Sequence, residues 1–493
     1  MKTLSPQDAS FLDVENDVSH MHIGSVGVFE GPAPSRGEMC AAVESKLHLV
    51  PRYRQKVRYP PLRLGPPVWI DDTHFNLDYH VRRTALASPG GEEELRTLVG
   101  RVMSQQLDRA KPLWEMWVAE GLGGGRWALI SKVHHCMVDG VSGTDLLAVM
   151  LDAEREPTRP RAPRWVPDPE PSAADLLAEP LARRLASPVD ALAAARELVR
   201  GPRRAAELAV ETVRGTAAMS GLLRPTPRSS LNGPIGPHRR WDWAHAQLSD
   251  VKTVRVALGG TVNDVVLAVI SRGFRDLLLA RREDPSRLVV RTLVPVSVRR
   301  PGERGTYNNR VSAMFAELPV AMEDPVERLE AMRTQMEGLK QSKQAVAGEV
   351  LTSLSGFAPA LLLALGTRVA FRMPQRSVNT VTTNVPGPQH PLYAAGRRML
   401  EAIPYVPLAG RVRVGVAIFS YDGALKFGVT GDYDTAPDIR VLCDGIEKGM
   451  AELVEVAQRP RPQRKAASRR RETPPAGARA GAPARGATTG EEE

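Results

Sequence analysis

The spacing of apolar and polar positions divides this chain into two mixed regions separated by a proline-rich and helical stretch. In the first region, residues 1 to about 153, WEMWVAE (114–120) and WALISKV (127–133) are apolar runs of strand length. The GLGGGR between them joins strand to strand instead of strand to helix. That predicts a hairpin turn and argues against a phosphate-binding loop. Beyond SKVHHCMVDGVSG (131–143) the pattern turns helical. Ser142-Gly143-Thr144-Asp145 is a capping-box variant, and LLAVMLDA (146–153) continues the helix. The stretch is therefore read as a strand end, a tight connection and a helix start, a setting in which active sites are built.

The proline-rich segment REPTRPRAPRWVPDPE (155–170) reads as a linker. From Ser172 to Leu223 the pattern predicts two amphipathic helices broken near Gly201-Pro202, and 229–240 returns to loop. A second region runs from about 241 to 457. Its helix begins near Asn263-Asp264 and continues through VVLAVISRGFRDLLLARR; RLVVRTLVPV (287–296) is a strand, and another follows Asn309-Arg310. VRVGVAIFSYDGALKFGVTGD (412–432) predicts two strands turning at Tyr421-Asp422-Gly423. The most lipophilic stretch, FAPALLLALGTRVAF (357–371), contains Pro359 and is flanked by arginine. It falls short of the roughly 20 apolar residues that span a bilayer, so it reads as a buried core helix or an interfacial one.

Composition alters this picture little. The chain has 493 residues, 42% hydrophobic and 25% charged, which fits a globular protein of two domains. Cys40, Cys136 and Cys443 are widely spaced and form no C-x-x-C pair, which suits a reduced, cytoplasmic setting. The first residues lack the apolar core of a secretory signal. Half of the net charge of +10 lies in the tail after Gln458, where nine Arg and Lys face four Glu in a Pro/Gly/Ala-rich sequence. That composition predicts disorder. No nucleic-acid module or series of stacking aromatics accompanies the charge, so a nucleic-acid partner is not expected.

The chemistry concentrates at His134 and His135. Neighbouring strand residues point to opposite faces, and no third ligand stands at a metal-site spacing, so a metal pair is disfavoured. No G-x-S-x-G elbow supports a serine hydrolase, and Cys136 reads as a small buried residue before it reads as a nucleophile. A histidine base facing a substrate hydroxyl remains, beside the plain reading of two core histidines. Asp139 either orients the imidazole or pairs with an arginine such as Arg291 to hold the loop, and Gly140 permits its tight turn.

HHCMVDG has the form H-H-x-x-x-D-G and resembles the CoA-dependent acyltransferases that include chloramphenicol acetyltransferase and the peptide-synthetase condensation domains. The remaining motifs are similar to those of the bacterial wax ester synthase/diacylglycerol acyltransferase family. These are LSPQDASFLDVE (4–15), MHIG (21–24), PLWE (112–115), NGPIGPHRR (232–240), TVNDVVLA (261–268), PVSVR (295–299), NNRVS (308–312), TNVPGP (383–388) and SYDG (420–423). The resemblance covers residues 1 to 457. It implies an α/β fold of two chloramphenicol-acetyltransferase-like domains, each a mixed sheet with helices, at 1–153 and 241–457, with an active-site tunnel between them. It also implies transfer of a fatty acyl group from acyl-CoA to diacylglycerol or a long-chain alcohol, without a bound cofactor, at a membrane or lipid-inclusion surface. By the same resemblance His135 is the general base, His134 supports it and Asp139 is chiefly structural. Gly140, Asn263, Thr382, Thr383 and Asn384 are the candidate substrate contacts; Asn263 reads first as a cap and interdomain support and second as a contact, and the hydroxyls and amide at 382–384 are placed to stabilise an oxyanion. Trp114 is expected to pack against the hairpin more than to touch an acyl chain.

Overall fold

The computed structural model describes residues 2–138, 150–158, 163–178, 225–297, 311–341 and 377–459. In the first region lie β1 (Lys2–Thr3), α1 (Pro6–Val14), β2 (His22–Phe29), α2 (Arg36–Glu44), β3 (Gln55–Arg58), β4 (Val68–Asp71), α3 (Leu77–His80), β5 (Val81–Ala85), α4 (Glu92–Met103), β6 (Trp114–Leu122) and β7 (Arg126–His134). In the second lie β8 (Arg239–Gln247), α5 (Leu248–Leu258), α6 (Val262–Ala280), β9 (Val290–Ser297), β10 (Val311–Leu318), α7 (Pro325–Gln341), β11 (Thr380–Pro386), β12 (Tyr393–Ala394), β13 (Arg397–Tyr405), β14 (Val414–Tyr421), β15 (Ala424–Asp432) and α8 (Ile439–Gln458).

The strands expected from the apolar runs are present. β6 and β7 pair antiparallel across the glycine turn, and β14 and β15 pair across Asp422-Gly423. Both residues of that second turn have positive φ (44° and 84°), the two-residue hairpin geometry that suits the right-handed twist of its strands. The expected helices at 142–153, 172–223 and 357–371 fall wholly or mainly outside the described residues.

Two six-stranded mixed sheets form the frame, ordered β12-β13-β2-β7-β6-β5 and β10-β9-β11-β14-β15-β8, with a small β1-β4-β3 sheet beside the first. The sheets do not follow the chain: β12 and β13, made late, complete the first sheet by pairing β13 with β2. The second core is built on α6, whose residues Val265 to Ile270 are fully buried, with α8 packed against it. Among the described residues no single helix is long and apolar enough to cross a membrane.

The two sheets meet where β13 lies against β15. A Cβ placed on Gly428 would stand 1.8 Å from the Pro404 carbonyl oxygen, and Trp241 Nε1 donates to the same oxygen at 3.2 Å. Gly428→Ala is expected to force this seam apart, at a cost of about 1–3 kcal/mol or more. The check is a urea unfolding curve; an unchanged midpoint would mean that the seam yields freely.

Candidate active site

β7 is buried along both faces, and each face meets a different core. Trp127, Leu129 and Val133 pack with Leu12, Met39, Trp114 and Cys136, while Ala128 and Ile130 pack with Leu95, Leu98, Val99, Val102 and Met103 of α4. Lys132 lies on the α4 side and is fully buried. Its ammonium donates to the Val102 carbonyl at 3.0 Å and to the Gln105 carbonyl, closing the negative end of α4, and burial pulls its pKa down to about 8.

His134 ends the strand. Its backbone N–H donates to the Leu113 carbonyl at 2.9 Å, and Cys136 N–H donates to its Nδ1 at 3.1 Å. Nδ1 is thus an acceptor, so the ring proton of the neutral form sits on Nε2, 3.5 Å from Glu15 Oε2. Glu15, just after α1, is gripped from several sides. Arg109 donates to Oε2 from Nε (3.0 Å) and a terminal nitrogen (2.7 Å), Met21 N–H donates to Oε1 (3.3 Å), and His22 Nε2 lies 3.4 Å from Oε1. Burial opposes ionisation here, but the close approach of the His134 and His22 rings outweighs it and holds the carboxyl far below its usual range. His22 faces His134 directly across β2 and β7, and burial pushes its pKa to about 3, so it is neutral. His20 stacks on His22 with ring centroids 5.5 Å apart and is likewise lowered by burial.

His135 begins a 3-10 turn, His135–Met137, and goes to another environment. Its backbone N–H donates to the Met21 carbonyl at 2.8 Å, so a single peptide residue links it to Glu15. The ring stacks on Phe11 of α1 at 3.9 Å and 22° and keeps partial exposure. Burial lowers its pKa to about 4, which makes it a neutral imidazole near pH 7. Its Nδ1 has no hydrogen-bond partner among the described residues. Asp139 and Gly140 lie outside those residues.

One partly exposed, neutral imidazole beside a locked, fully buried one is an arrangement suited to proton transfer. Comparison with known proteins gives it a setting. The wax ester synthase/diacylglycerol acyltransferase catalytic domain matches residues 4–266, and the C-terminal domain of the same family matches 307–454. A Mycobacterium tuberculosis protein named as a probable diacylglycerol O-acyltransferase is 38% identical over 464 residues, 93% of this chain and 97% of the relative. The chain belongs to the wax ester synthase/diacylglycerol acyltransferase family. It is an acyltransferase by that membership. The solved wax ester synthase/diacylglycerol acyltransferase of Marinobacter aquaeolei superposes with a TM-score of 0.65 at 27% identity, over 93% of this chain and all of that one. A trichothecene 15-O-acetyltransferase of Fusarium sporotrichioides shares the fold at 12% identity and a TM-score of 0.59, over 92% and 94% of the two chains. The architecture is thus the mixed α/β, two-domain type of chloramphenicol acetyltransferase and the condensation domains.

The remaining candidates separate by environment. The Thr382 hydroxyl is buried and receives a 2.8 Å hydrogen bond from Thr292, which gives it a structural task within the sheet. Thr383 and Asn384 are half-buried, in register with Ala417 and Ile418 of β14, and their side chains make no hydrogen bond among the described residues. At the start of α6 the cap is Thr261, which exchanges hydrogen bonds with Asp264 in a capping box; Asn263 stands beside it, half-buried. Trp114 is fully buried, stacks on His80 at 4.5 Å and donates to the Tyr53 carbonyl, so it packs on neighbouring segments as well as the sheet. Cys136 is also fully buried, and burial drives its thiol pKa well up. Arg291 holds Glu317 at 2.7 Å and the Ser377 carbonyl.

FLDVE and MHIG carry the family resemblance, yet Glu15, His20, His22 and Arg109 were not among the expected site residues. A usable signal was present: His20 and His22 are two apart at a strand start, so they share a face, and a buried acid lay nearby to receive them.

Proposed function

We propose that this protein transfers a long-chain acyl group from fatty acyl-CoA to the hydroxyl of diacylglycerol or a long-chain alcohol, with His135 as general base. The observation that carries the reading is the neutral, partly exposed His135 imidazole, held on Phe11 beside the buried His134–Glu15 pair. His135 accepts the proton of the acceptor hydroxyl as its oxygen attacks the thioester carbonyl. A tetrahedral oxyanion forms, and Thr383 and Asn384 are the candidate donors to it. Its collapse breaks the carbon–sulfur bond, and the thiolate of CoA takes the proton back from the imidazolium. The ester and free CoA leave, and the histidine is neutral again. No resident cofactor enters this sequence; acyl-CoA is a co-substrate. Asp139 is assigned to the loop that carries the base, and Gly140 and Asn263 remain substrate-contact candidates.

The relatives named as diacylglycerol O-acyltransferases favour diacylglycerol over alcohol. Such an acceptor resides in membranes, so the proposal places its work at a membrane or lipid-inclusion surface, on the cytoplasmic side. The test supplies purified protein with labelled palmitoyl-CoA and either diolein or hexadecanol, then separates products by thin-layer chromatography. Labelled triacylglycerol in excess of wax ester is the expected result. Product from neither acceptor would exclude the reading and point to transfer from a carrier protein or to a lipid-binding paralogue without activity.

A further inference from the structure

Between β3 and β4 the chain reads YPPLRLGPP (59–67). Two proline pairs stiffen its ends, and between them Leu62 is 87% exposed and Leu64 41% exposed. Leu62 and Arg63 both take φ of 53°, a left-handed conformation that is costly for residues with a Cβ. The loop thus holds a strained turn whose outcome is to turn a large apolar side chain into water. The contacts of Arg63 with Tyr59 and Asp13 hold the turn, but none of them covers Leu62, and an observed outlier of this kind points to use of the loop.

The charges beside the leucines are cationic. Arg58 is exposed at the end of β3, and Arg63 stands between the two leucines with its guanidinium 4.6 Å over the Tyr59 ring. Arg63 also reaches Asp13 of α1 at 3.7 Å. The root of the loop is fixed: Tyr59 packs on the core that holds Leu12 and Cys136, and Leu4 N–H donates to the Pro67 carbonyl at 2.9 Å. α1 links the loop to the site, since Phe11, two residues before Asp13, carries the His135 ring.

We propose that the Leu62-Arg63-Leu64 loop, with Arg58, is the surface by which this protein docks on an anionic phospholipid bilayer. The leucines enter the headgroup–acyl boundary while the guanidinium groups stay among the phosphates. Rigid proline flanks mean that little order is lost on docking. The bilayer surface then lies one short helix, α1, from the base. This rests on the reading of the acceptor as a membrane lipid.

The test is sedimentation of the full-length protein with phosphatidylcholine vesicles, with and without phosphatidylglycerol. Wild type is expected to bind the anionic vesicles more tightly, with added salt weakening the binding. The double variant Leu62→Ser, Leu64→Ser is expected to bind about tenfold more weakly or worse, and Arg58→Gln to lose most of the preference for phosphatidylglycerol. Both leucines are exposed, so far-ultraviolet circular dichroism is expected to be unchanged. Equal sedimentation of wild type and the double variant would overturn the proposal, as would wild type that binds neither vesicle. Binding through the loop without ester formation would retain the docking surface and remove the enzymatic reading; ester formation with an irrelevant loop would do the reverse.

Discussion

His135→Ala lowers kcat on diacylglycerol by about two to four orders of magnitude, the range of lost general-base assistance, while KM for acyl-CoA changes little. The side chain is partly exposed and its main contact is the Phe11 stack, so the cost in stability is about 0.5–1.5 kcal/mol and the variant remains folded at room temperature. Circular dichroism alongside single-turnover kinetics separates the two effects. Equal product from the variant would remove His135 from the chemistry. The pH dependence follows from burial, which holds this imidazole neutral down to about pH 4. The ascending limb of kcat/KM should therefore centre near 4, and activity should be level between pH 6 and 8. A midpoint near 6.5 would show an imidazole open to water. Stability has the same sign: below 6.5 the unfolded chain takes up a proton that the folded one refuses, so folding weakens as pH falls from 6.5 towards 4.

Glu15→Ala is expected to act through position instead of contact. It removes the carboxylate that the buried Met21 N–H donates to and that the buried His134 Nε2 faces, at about 1–3 kcal/mol, while the exposed Arg109 can turn to water. The Met21 peptide, released from Glu15, also supports His135 N–H, so kcat is expected to fall about tenfold, as when a supporting partner of an active histidine is lost. Glu15→Gln keeps an acceptor oxygen and should recover most of that rate. The charge has its own signature. Because the folded carboxyl is held far below its ordinary value of 4.5, its stabilisation is complete above that value and is lost as pH falls beneath it. Acid unfolding of Glu15→Gln should lack this component. Wild-type rate and acid limb in both variants would show that Glu15 neither positions the base nor contributes its charge to stability.

Local pattern explains how much of this was legible. The hairpins at 121–126 and 421–423 and the start of α6 were readable because short-range turn and cap chemistry fixes them. The pairing of β13 with β2 was not. No strand was expected over Arg397–Tyr405, and nothing local says which sheet would receive one. At the site the two histidines do occupy different environments, one meeting Glu15 and the other Phe11, but strand alternation is not the cause: β7 ends at His134, and His135 opens a 3-10 turn. The Glu15 cluster went unassigned because its members come from α1's end, β2 and the segment after α4, and only the fold brings them together.

The late strand β13 also bears on how the chain is made. β2, which pairs His22 with His134 of β7, has its second edge covered only when residues up to Tyr405 have left the ribosome. Until then a strand with Val26 and Val28 offers unpaired backbone to any passing chain. A truncated message ending before that strand would therefore yield an aggregate-prone fragment rather than a smaller enzyme, despite containing every histidine of the motif.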